Sequence, residues 1–263
     1  MMDRDDYEPK QAGSLKEIER GDIRFEHVSF SYDGKRDVLK EISFEVKNGQ
    51  TIAFVGHTGS GKSSIINLFM RFYEFDRGRI LIDGQDIKDY SQEALRKSIG
   101  LVLQEPFLYH GTIASNIRMY HEELTDEEIR QAAAFVDVAD YIESLPGGYD
   151  HPVTERGSTL STGQRQLLAF ARTIAGQPKI LILDEATANI DQETEEMIQN
   201  SLKKMRQGRT TIAIAHRLST IQDADCIYVL DKGKIIESGN HDQLIALGGT
   251  YKKMYDLQAG MMK

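Results

Sequence analysis

A glycine-rich stretch early in the chain has the composition of a phosphate-binding loop. It reads Gly56-His-Thr-Gly-Ser-Gly61-Lys62-Ser63 and matches the pattern G-x-x-x-x-G-K-[ST]. Glycines let consecutive backbone N–H groups point into one concave surface at a helix N-terminus, where the helix dipole attracts an anion. Lys62 would contact the β and γ phosphates of a nucleotide, and Ser63 would give its hydroxyl to Mg²⁺. The alternative, a flexible Gly-Ser turn, leaves the lysine unexplained. The predicted phosphate contacts are Gly56, Thr58, Gly59, Ser60, Gly61, Lys62, Ser63 and Ser64.

Two adjacent carboxylates follow an apolar run in the last third of the chain. The run Ile180-Leu-Ile-Leu183 ends in Asp184 and Glu185. At the carboxyl end of a buried parallel strand, such side chains face the ligand crevice of an open α/β sheet. Asp184 would hold the water shell of a metal, and Glu185 would orient or deprotonate an attacking water. The alternative is a strand end with solvated charges.

The elements around both segments predict a mostly parallel, doubly wound α/β sheet. Short apolar runs rich in β-branched residues alternate with segments of helical spacing, which is typical of parallel strands joined by helices. The predicted strands are 51–55, 180–183 and 210–215, and the predicted helices are 64–70, 162–175 and 192–205.

Two further regions depart from this alternation. Near the N-terminus, 23–32 and 38–46 alternate as strands, with a phase slip at His27, and predict a small antiparallel sheet with a bulge. In the middle, four short amphipathic segments predict an inserted helical subdomain. Near the C-terminus the sequence predicts a hairpin, and Asn240 is a plausible helix cap. The four segments are 91–98, 112–120, 125–136 and 138–145, and the hairpin strands are 227–230 and 235–236.

Composition excludes several classes of protein. The chain has 263 residues with 32 Lys plus Arg against 41 Asp plus Glu, a net charge of −9, which argues against binding nucleic acid. One cysteine excludes an internal disulfide and favours a reducing cytosol. No stretch is long and apolar enough to cross a bilayer. The charged residues 1–20 predict a solvated linker.

A third segment would by itself be interpreted as an ordinary helix N-terminus, but its position in the sequence indicates a functional site. Leu160-Ser-Thr-Gly-Gln164 opens the predicted helix, with Ser161 as its N-cap, and lies between the phosphate loop and the carboxylate strand. At this point the chain resembles the ATP-binding cassette family. That family has a phosphate loop, a glutamine loop, a Leu-Ser-Gly-Gly-Gln-type signature, a strand ending Asp-Glu and a switch histidine, in this order. The resemblance covers roughly residues 23–257.

The resemblance implies roles for residues that spacing alone does not single out. Tyr32 matches the aromatic residue that stacks on adenine, and Gln104 matches the glutamine that touches Mg²⁺ and the attacking water. His216 matches the switch histidine beside the γ-phosphate, and Asp191 matches the loop between the two sites of a dimer. Without the resemblance, Tyr32 reads as a half-buried strand tyrosine, Gln104 as a solvated amide and His216 as a surface residue. The residues expected to act in catalysis are Lys62, Gln104, Glu185 and His216, and those expected at the metal are Ser63, Gln104 and Asp184.

The resemblance also implies a partner copy. In the family, the signature of one subunit completes the phosphate site of a second, so two domains enclose two ATP molecules head to tail. Ser161, Gly163 and Gln164 would then contact the nucleotide of the partner. Thr162 replaces the usual glycine, and Asn189-Ile190 replaces the usual small-Leu pair. A heterodimer with one weakened signature is therefore a hypothesis beside the homodimer.

Two further matches resemble exporters of the multidrug or lipid type. These are Gly147-Gly-Tyr-Asp150 followed by Thr154-Glu-Arg-Gly157, and Gly111-Thr-Ile-Ala-Ser-Asn116. The resemblance implies a transmembrane domain as partner and a place at the cytoplasmic face of the cell membrane. The expected organisation is a linker over 1–20, a nucleotide-binding domain over 21–258 with its helical subdomain at about 91–176, and a tail over 259–263.

The predicted function is ATP binding and hydrolysis with Mg²⁺ to drive export of a substrate that this sequence does not identify. A soluble ATPase of the same family, or another P-loop phosphotransferase not coupled to transport, is the alternative. A chromosome-maintenance ATPase would require a long coiled coil, and a translation-factor ATPase would require two cassettes. A plain P-loop kinase leaves the signature, Gln104 and His216 unexplained.

Overall fold

The computed structural model of the chain describes residues 13–15, 17–75, 77–119, 121–184, 192–215 and 217–260. The strands are β1 (Ile23–Phe30), β2 (Leu39–Val46), β3 (Thr51–Val55), β4 (Arg77–Ile82), β5 (Gln85–Asp86), β6 (Ile99–Val102), β7 (Gly111–Thr112), β8 (Pro152–Val153), β9 (Ile180–Asp184), β10 (Thr210–Ile214), β11 (Cys226–Asp231) and β12 (Lys234–Gly239). The α-helices are α1 (Lys62–Phe69), α2 (Gln92–Ser98), α3 (Ile113–Arg118), α4 (Asp126–Phe135), α5 (Ala139–Ser144), α6 (Thr162–Ala175), α7 (Gln192–Arg206), α8 (His241–Leu247) and α9 (Thr250–Gln258).

A six-stranded sheet in the order β12-β11-β3-β10-β9-β6 forms the centre of the molecule. Strands β11, β3, β10, β9 and β6 run parallel, and β12 is antiparallel to β11 at one edge. Every residue of β3 and β10 is buried, as expected for strands covered on both faces. The predicted mostly parallel core sheet is therefore confirmed.

The two faces of this sheet pack against different layers. Ala53 and Val55 of β3 contribute to a core cluster with α3 to α9, whereas Ile52 and Phe54 contribute to a cluster with α1 and the N-terminal sheet. The alternation follows from the two-residue period of a strand. The phosphate loop after Val55 therefore begins between two hydrophobic layers.

The predicted antiparallel subdomain is confirmed as a four-stranded sheet in the order β2-β1-β4-β5. The pairing of β1 with β2 shifts between Phe25 and Val28, and His27 has a φ of 49°. The phase slip in the sequence is thus a β-bulge, as predicted. The sequence reasoning did not identify β4 and β5.

The middle of the chain contains the predicted helices α2 to α5, and α6 follows them. Thr112 and Thr125 cap α3 and α4 through reciprocal capping boxes, which satisfy N–H groups of each first turn. The expected subdomain limits of about 91–176 need correction. Strand β6 lies within them but pairs in parallel with β9, so it belongs to the central sheet.

The interpretation of residues 1–20 as a solvated linker is wrong for its last part, because the described residues 13–15 and 17–20, with 21 and 22, form a connector docked on the domain. Ile18 is buried, and the Leu15 N–H donates to the Asp89 carbonyl (2.9 Å) while the Leu15 carbonyl accepts from the Ser91 N–H (2.9 Å). The carboxylate of Asp83 accepts backbone N–H groups from residues 19–22 at 2.8–3.0 Å. A buried isoleucine, the backbone hydrogen bonds of Leu15 and the carboxylate of Asp83 thus hold this segment against the domain.

The C-terminal part confirms the predicted hairpin and cap. β11 and β12 pair antiparallel, and Asn240 accepts from the Gln243 N–H (2.9 Å) at the start of α8. Among the residues that the structure describes, we find no helix with the length and apolar character needed to cross a membrane.

Candidate nucleotide-binding site

The carboxyl ends of four parallel strands, β3, β10, β9 and β6, lie side by side at one end of the central sheet. In the parallel register, Phe54 of β3 pairs with Ile214 of β10, and Ile214 pairs with Asp184 of β9. Leu183 of β9 in turn pairs with Val102 of β6. Neighbouring strands lie about 4.8 Å apart, so the start of the phosphate loop and Asp184 are separated by about 10 Å at this level. The predicted phosphate loop, the carboxylate strand and the glutamine loop therefore share one edge.

The phosphate loop takes its shape from glycines whose positive φ other residues rarely adopt. Gly56 has a φ of 152°, and a Cβ there would overlap the Leu230 carbonyl oxygen and lie 2.8 Å from Ser60 Oγ. Gly59 has a φ of 79° with nothing within 4 Å of an added Cβ, so its requirement is conformational only. The loop is therefore fixed against β11 at its start and open at Gly59.

Lys62 folds back over this loop. Its Nζ donates to the Gly56 carbonyl (2.7 Å) and the His57 carbonyl (3.2 Å), and its side chain is buried. Lys62 is also the first residue of α1, at the end of the helix where the dipole is positive. An ammonium group and a helix N-terminus thus converge on the loop, which is the arrangement that binds a phosphate chain.

The remaining loop residues divide into exposed and buried positions. Thr58, Gly59 and Ser63 are exposed, so the Ser63 hydroxyl is accessible to a metal, whereas Ser64 is buried. Ser60 is also buried, and its Oγ has no hydrogen-bond partner within the described part of the chain. A buried hydroxyl without a hydrogen-bond partner within the phosphate loop indicates a site that binds a polar ligand.

Tyr32 lies two residues after the end of β1. Two neighbouring rings contact its ring, and two side chains form hydrogen bonds with its hydroxyl. Its ring makes edge-to-face contacts with Phe30 (4.7 Å between centroids) and Tyr73 (4.8 Å). Its hydroxyl shares a hydrogen bond with the Ser64 hydroxyl (3.0 Å) and accepts from Asn67 Nδ2 (3.1 Å). The side chain is nevertheless 47% exposed. A rigidly held, half-exposed aromatic ring beside the phosphate loop is suited to stacking on a base.

The turn that follows Tyr32 is stabilised by a carboxylate. Asp33 accepts backbone N–H groups from Lys35 (2.9 Å) and Arg36 (3.1 Å). These hydrogen bonds, with that of Lys35 the largest cause, hold the pKa of the Asp33 carboxyl below its usual value. The carboxylate that stabilises the turn beside Tyr32 therefore stays ionised to a lower pH than a free aspartate does.

Gln104 is exposed and follows β6 after Leu103, which places it beside the end of β9. It lines a cleft of about 770 Å³ that reaches the start of α6. The other lining residues are Glu105, Pro106, Phe107, Arg156, Ser158, Thr162, Arg165 and Gln166. The glutamine loop and the signature helix are thus neighbours within one copy of the chain.

The signature segment forms a capped helix N-terminus. Ser161 Oγ accepts from the Gln164 N–H (3.1 Å), and Gln164 Oε1 accepts from the Ser161 N–H (2.8 Å). The predicted N-cap is therefore confirmed. Gly163 is buried, whereas Ser161 and Thr162 are exposed, and Thr162 Oγ1 accepts from Arg165 (3.1 Å).

Three predicted site residues, Glu185, Asp191 and His216, lie outside the described residues. Asp184 ends β9 and is half-buried, and α7 begins at Gln192. After position 216, Arg217 forms an ion pair with Glu195 of α7 (2.7 Å), and the Leu218 N–H donates to Gln258 Oε1 (2.8 Å).

The described residues fit a magnesium nucleotide. Mg²⁺ takes oxygen ligands and keeps several waters, so the Ser63 hydroxyl, the Gln104 amide oxygen and the Asp184 carboxylate are chemically suitable. No group of three or more His, Cys, Asp or Glu side chains within the described ranges could hold a metal by itself.

The sequence reasoning missed Asn67 and Tyr73, which hold Tyr32. A signal for Asn67 was present, because it is three residues after Ser64 and so lies on the same face of α1. No sequence pattern connects Tyr73 to Tyr32.

Comparison with known families decides what this arrangement belongs to. The family model described as "ABC transporter" matches residues 39–188, more than half of the chain. The chain belongs to the ABC transporter family. A relative in Streptococcus pneumoniae, named as the ABC transporter ATP-binding protein exp8, is 71% identical over 262 residues, which cover 100% of this chain and 45% of that protein. YheH of Bacillus subtilis, named as a multidrug resistance ABC transporter ATP-binding/permease protein, is 54% identical over 95% of this chain and 37% of its own length.

A solved structure extends the likeness to three dimensions. The ABC domain matches a bacterial Atm1-family ABC exporter with ATP bound at a TM-score of 0.86, with 43% identity over 95% of this chain and 44% of that chain. The ABC domain thus spans less than half the length of the relatives it matches. The predicted family, its fold and its class as an ATP-binding domain of an ATPase family are confirmed.

Proposed function

We propose that this ABC domain is the ATP-hydrolysing motor of a membrane exporter. The observation that carries the proposal is the parallel register that brings the phosphate loop, Gln104 and Asp184 to one edge of the sheet. The relatives named as multidrug ATP-binding/permease proteins and the exporter structure support the coupling to transport. The alternative of an uncoupled P-loop phosphotransferase gains no such support.

In the proposed nucleotide site, each part of ATP has its own set of residues. Tyr32 stacks on the base, and the loop from Gly56 to Ser64 binds the phosphates with Lys62 as the cation. Ser63, Gln104 and Asp184 hold Mg²⁺, which when bound supplies positive charge against the phosphates. From sequence, Glu185 orients the attacking water and His216 contacts the γ-phosphate.

The central experiment is Mg²⁺-dependent phosphate release from ATP by this chain. Lys62→Ala is expected to abolish it, because the ammonium that folds over the loop is lost. The matched control is Lys203→Ala, the same change in the last turn of α7. Phosphate release by Lys62→Ala at the rate of the control would contradict the proposed site, and transfer to an acceptor instead of water would favour a kinase.

A second copy of an ABC domain, identical or different, is proposed as a partner. Ser161 and Thr162 expose the N-terminus of α6, and no described phosphate-loop residue lines the cleft at that end of the helix. ATP would then favour the dimer by mass action, and hydrolysis would release it. Glu185→Gln is expected to accumulate ATP-dependent dimers; monomers alone in light scattering with ATP and Mg²⁺ would oppose this.

Thr162 bears on whether the two copies are identical. Its exposed, β-branched side chain occupies the position of the usual signature glycine and accepts a hydrogen bond from Arg165. We expect the homodimer to turn over ATP slowly and Thr162→Gly to raise the rate. Full activity of the unchanged homodimer would remove the reason to propose a different partner.

A transmembrane domain is the other proposed partner. The segment around Gln104 exposes large apolar side chains, and large exposed apolar groups in one region indicate a contact site. These residues are Leu103, Phe107 and Tyr109. Tyr109 also lines a groove of about 280 Å³ with Met70 and Leu101. This partner would place the domain at the cytoplasmic face of the cell membrane, with residues 21–258 as the nucleotide-binding unit.

A further inference from the structure

We propose that Asn67 is a positioning residue for nucleotide binding, which fixes the ring of Tyr32 through its hydroxyl. The inference rests on the proposed stacking of Tyr32 on the base and goes beyond it. It concerns three side chains, Tyr32, Ser64 and Asn67, which we call the platform triad. The Tyr73 ring supports the triad from the side.

The triad joins two elements that the sequence separates. Tyr32 follows β1, whereas Ser64 and Asn67 lie one turn apart on α1, the helix that starts at the phosphate loop. Because residues three apart share a helix face, both side chains reach the same phenolic oxygen. Asn67 Nδ2 lies 3.1 Å from it and Ser64 Oγ 3.0 Å. The base platform is thereby tied to the helix that positions the phosphates.

The chemistry of the three groups gives each a distinct part. An amide NH₂ can only donate, so the Asn67 bond uses a lone pair of the Tyr32 oxygen and leaves the phenolic proton for Ser64 Oγ. The Phe30 and Tyr73 rings contact the Tyr32 ring edge-to-face, at 78° and 85°, which restricts its rotation about the ring axis. The phenolic oxygen lies on that axis, so its hydrogen bonds limit the swing of the outer end of the ring. Asn67 therefore helps to fix the place of the exposed ring face.

Loss of this donor has a selective consequence. Without Asn67 the half-exposed ring samples more orientations, and ATP must order it on binding, which lowers affinity. The described side-chain hydrogen bond of Asn67 goes to Tyr32 and not to a phosphate-loop residue, so we expect the affinity for a ligand without a base to be unaffected. The proposal thus separates affinity for the base from affinity for the phosphates.

The test compares equilibrium binding of Mg-ATP and of magnesium tripolyphosphate, which has no base, by titration calorimetry. Asn67→Leu keeps the size and removes the donor. We expect the affinity for Mg-ATP to fall about threefold to tenfold, the usual worth of one hydrogen bond, with the affinity for tripolyphosphate unchanged. Asn200→Leu makes the same change at an exposed position of α7 and is expected to alter neither. Asn67→Ala, with a good helix former, replaces the leucine variant if that one does not fold.

A double-mutant cycle tests whether Asn67 acts through the tyrosine. Tyr32→Phe keeps the ring and removes the oxygen that accepts from Asn67. The combined variant is expected to bind Mg-ATP no more weakly than Tyr32→Phe alone, because the partner is already absent. Additive losses, or an equal loss of tripolyphosphate affinity in Asn67→Leu, would overturn the proposal. Turnover measured in parallel is expected to show a higher KM for ATP with kcat unchanged.

Tyr32→Ala separates this inference from the proposed function. Removal of a stacking aromatic is expected to weaken Mg-ATP binding about tenfold to a hundredfold. If Tyr32→Ala binds Mg-ATP normally, the stacking itself is wrong, and the role of Asn67 fails with it. If Tyr32→Ala binds weakly but Asn67→Leu binds normally, stacking stands and only the role of Asn67 is overturned.

Discussion

Replacing Gly56 or Gly59 with alanine separates two requirements of the phosphate loop. Both have positive φ, but only at Gly56 would a Cβ overlap a backbone atom, the Leu230 carbonyl oxygen. Left-handed backbone costs an L-residue about 1–2 kcal/mol, and overpacking adds about 1–3 kcal/mol. We therefore expect Gly59→Ala to lower the free energy of unfolding by about 1–2 kcal/mol, and Gly56→Ala to lower it by about 2–5 kcal/mol.

Urea denaturation without nucleotide, followed by circular dichroism, measures both values. Gly49→Ala is the matched control, because Gly49 lies between β2 and β3 with a φ of 80° and nothing within 4 Å of an added Cβ. It is expected to lose the same stability as Gly59→Ala. ATP affinity, measured by calorimetry, is expected to fall for Gly59→Ala but not for Gly49→Ala, because of these two glycines only Gly59 lies in the phosphate loop.

Two results would refute this reasoning. If Gly56→Ala is no less stable than Gly49→Ala, the close approach of β11 to the loop does not limit the residue at position 56. If Gly59→Ala binds ATP as tightly as Gly49→Ala, the backbone of Gly59 has no part in holding phosphate. Stability and binding thus test the packing and the function of the loop independently.

Three further predictions concern the support of the site. Asp83→Ala is expected to lower the free energy of unfolding by about 2–4 kcal/mol and to speed amide exchange in residues 19–22, because four N–H groups lose their acceptor. Unchanged amide exchange would contradict the role of Asp83 in holding these residues. Arg172→Leu is expected to cost about 2–3 kcal/mol, because the guanidinium donates to the carbonyls of Phe107 (2.9 Å) and Asn116 (2.7 Å), and Arg172→Lys should recover part of that loss in the same denaturation assay. Burial raises the pKa of Tyr90 to about 12, so neutral tyrosine stabilises the fold below pH 10, and this stability, about 2–3 kcal/mol, is expected to vanish between pH 10 and 12. Tyr90→Phe should flatten that pH dependence in urea denaturation, and an equally steep loss in the variant would assign it to other groups.

Local signals in the sequence determined the single elements well. The helix predicted over 162–175 has these bounds in the structure, because Ser161 supplies a cap and the apolar residues repeat with helical spacing. The bulge at His27 was predictable for a similar reason, since an inserted residue must shift the alternation of a strand. Elements with such local causes need no knowledge of their neighbours.

Elements whose stability depends on distant partners were not predictable. β4 begins with exposed Arg77 and Arg79, which do not resemble a strand, and their partners are Asp37 (2.5 Å) and Glu26 (2.8 Å) on other segments. The docking of Ile18 likewise depends on a surface assembled from distant residues. The pattern of charge and hydropathy along the sequence does not predict these contacts between distant segments.

The candidate site was predictable as a set of residues and only partly as an arrangement. The phosphate loop and the strand ending in Asp184 follow from motifs, but the strand order that brings Gln104 beside Asp184 is a property of the whole sheet. The support of Tyr32 by Asn67 has a local signal on α1, although its other half lies after β1. Glu185, Asp191 and His216 lie outside the described residues, so their roles stay predictions.

The docked connector has a mechanical consequence. Leu15 runs parallel to the backbone at Tyr90, so tension on the segment before Gly13 loads its hydrogen bonds together in shear rather than one after another. Ser91 receives this tension directly and also caps α2, which continues without interruption into β6. The docked connector is thus hydrogen-bonded to the start of an uninterrupted helix and strand that lead to Gln104.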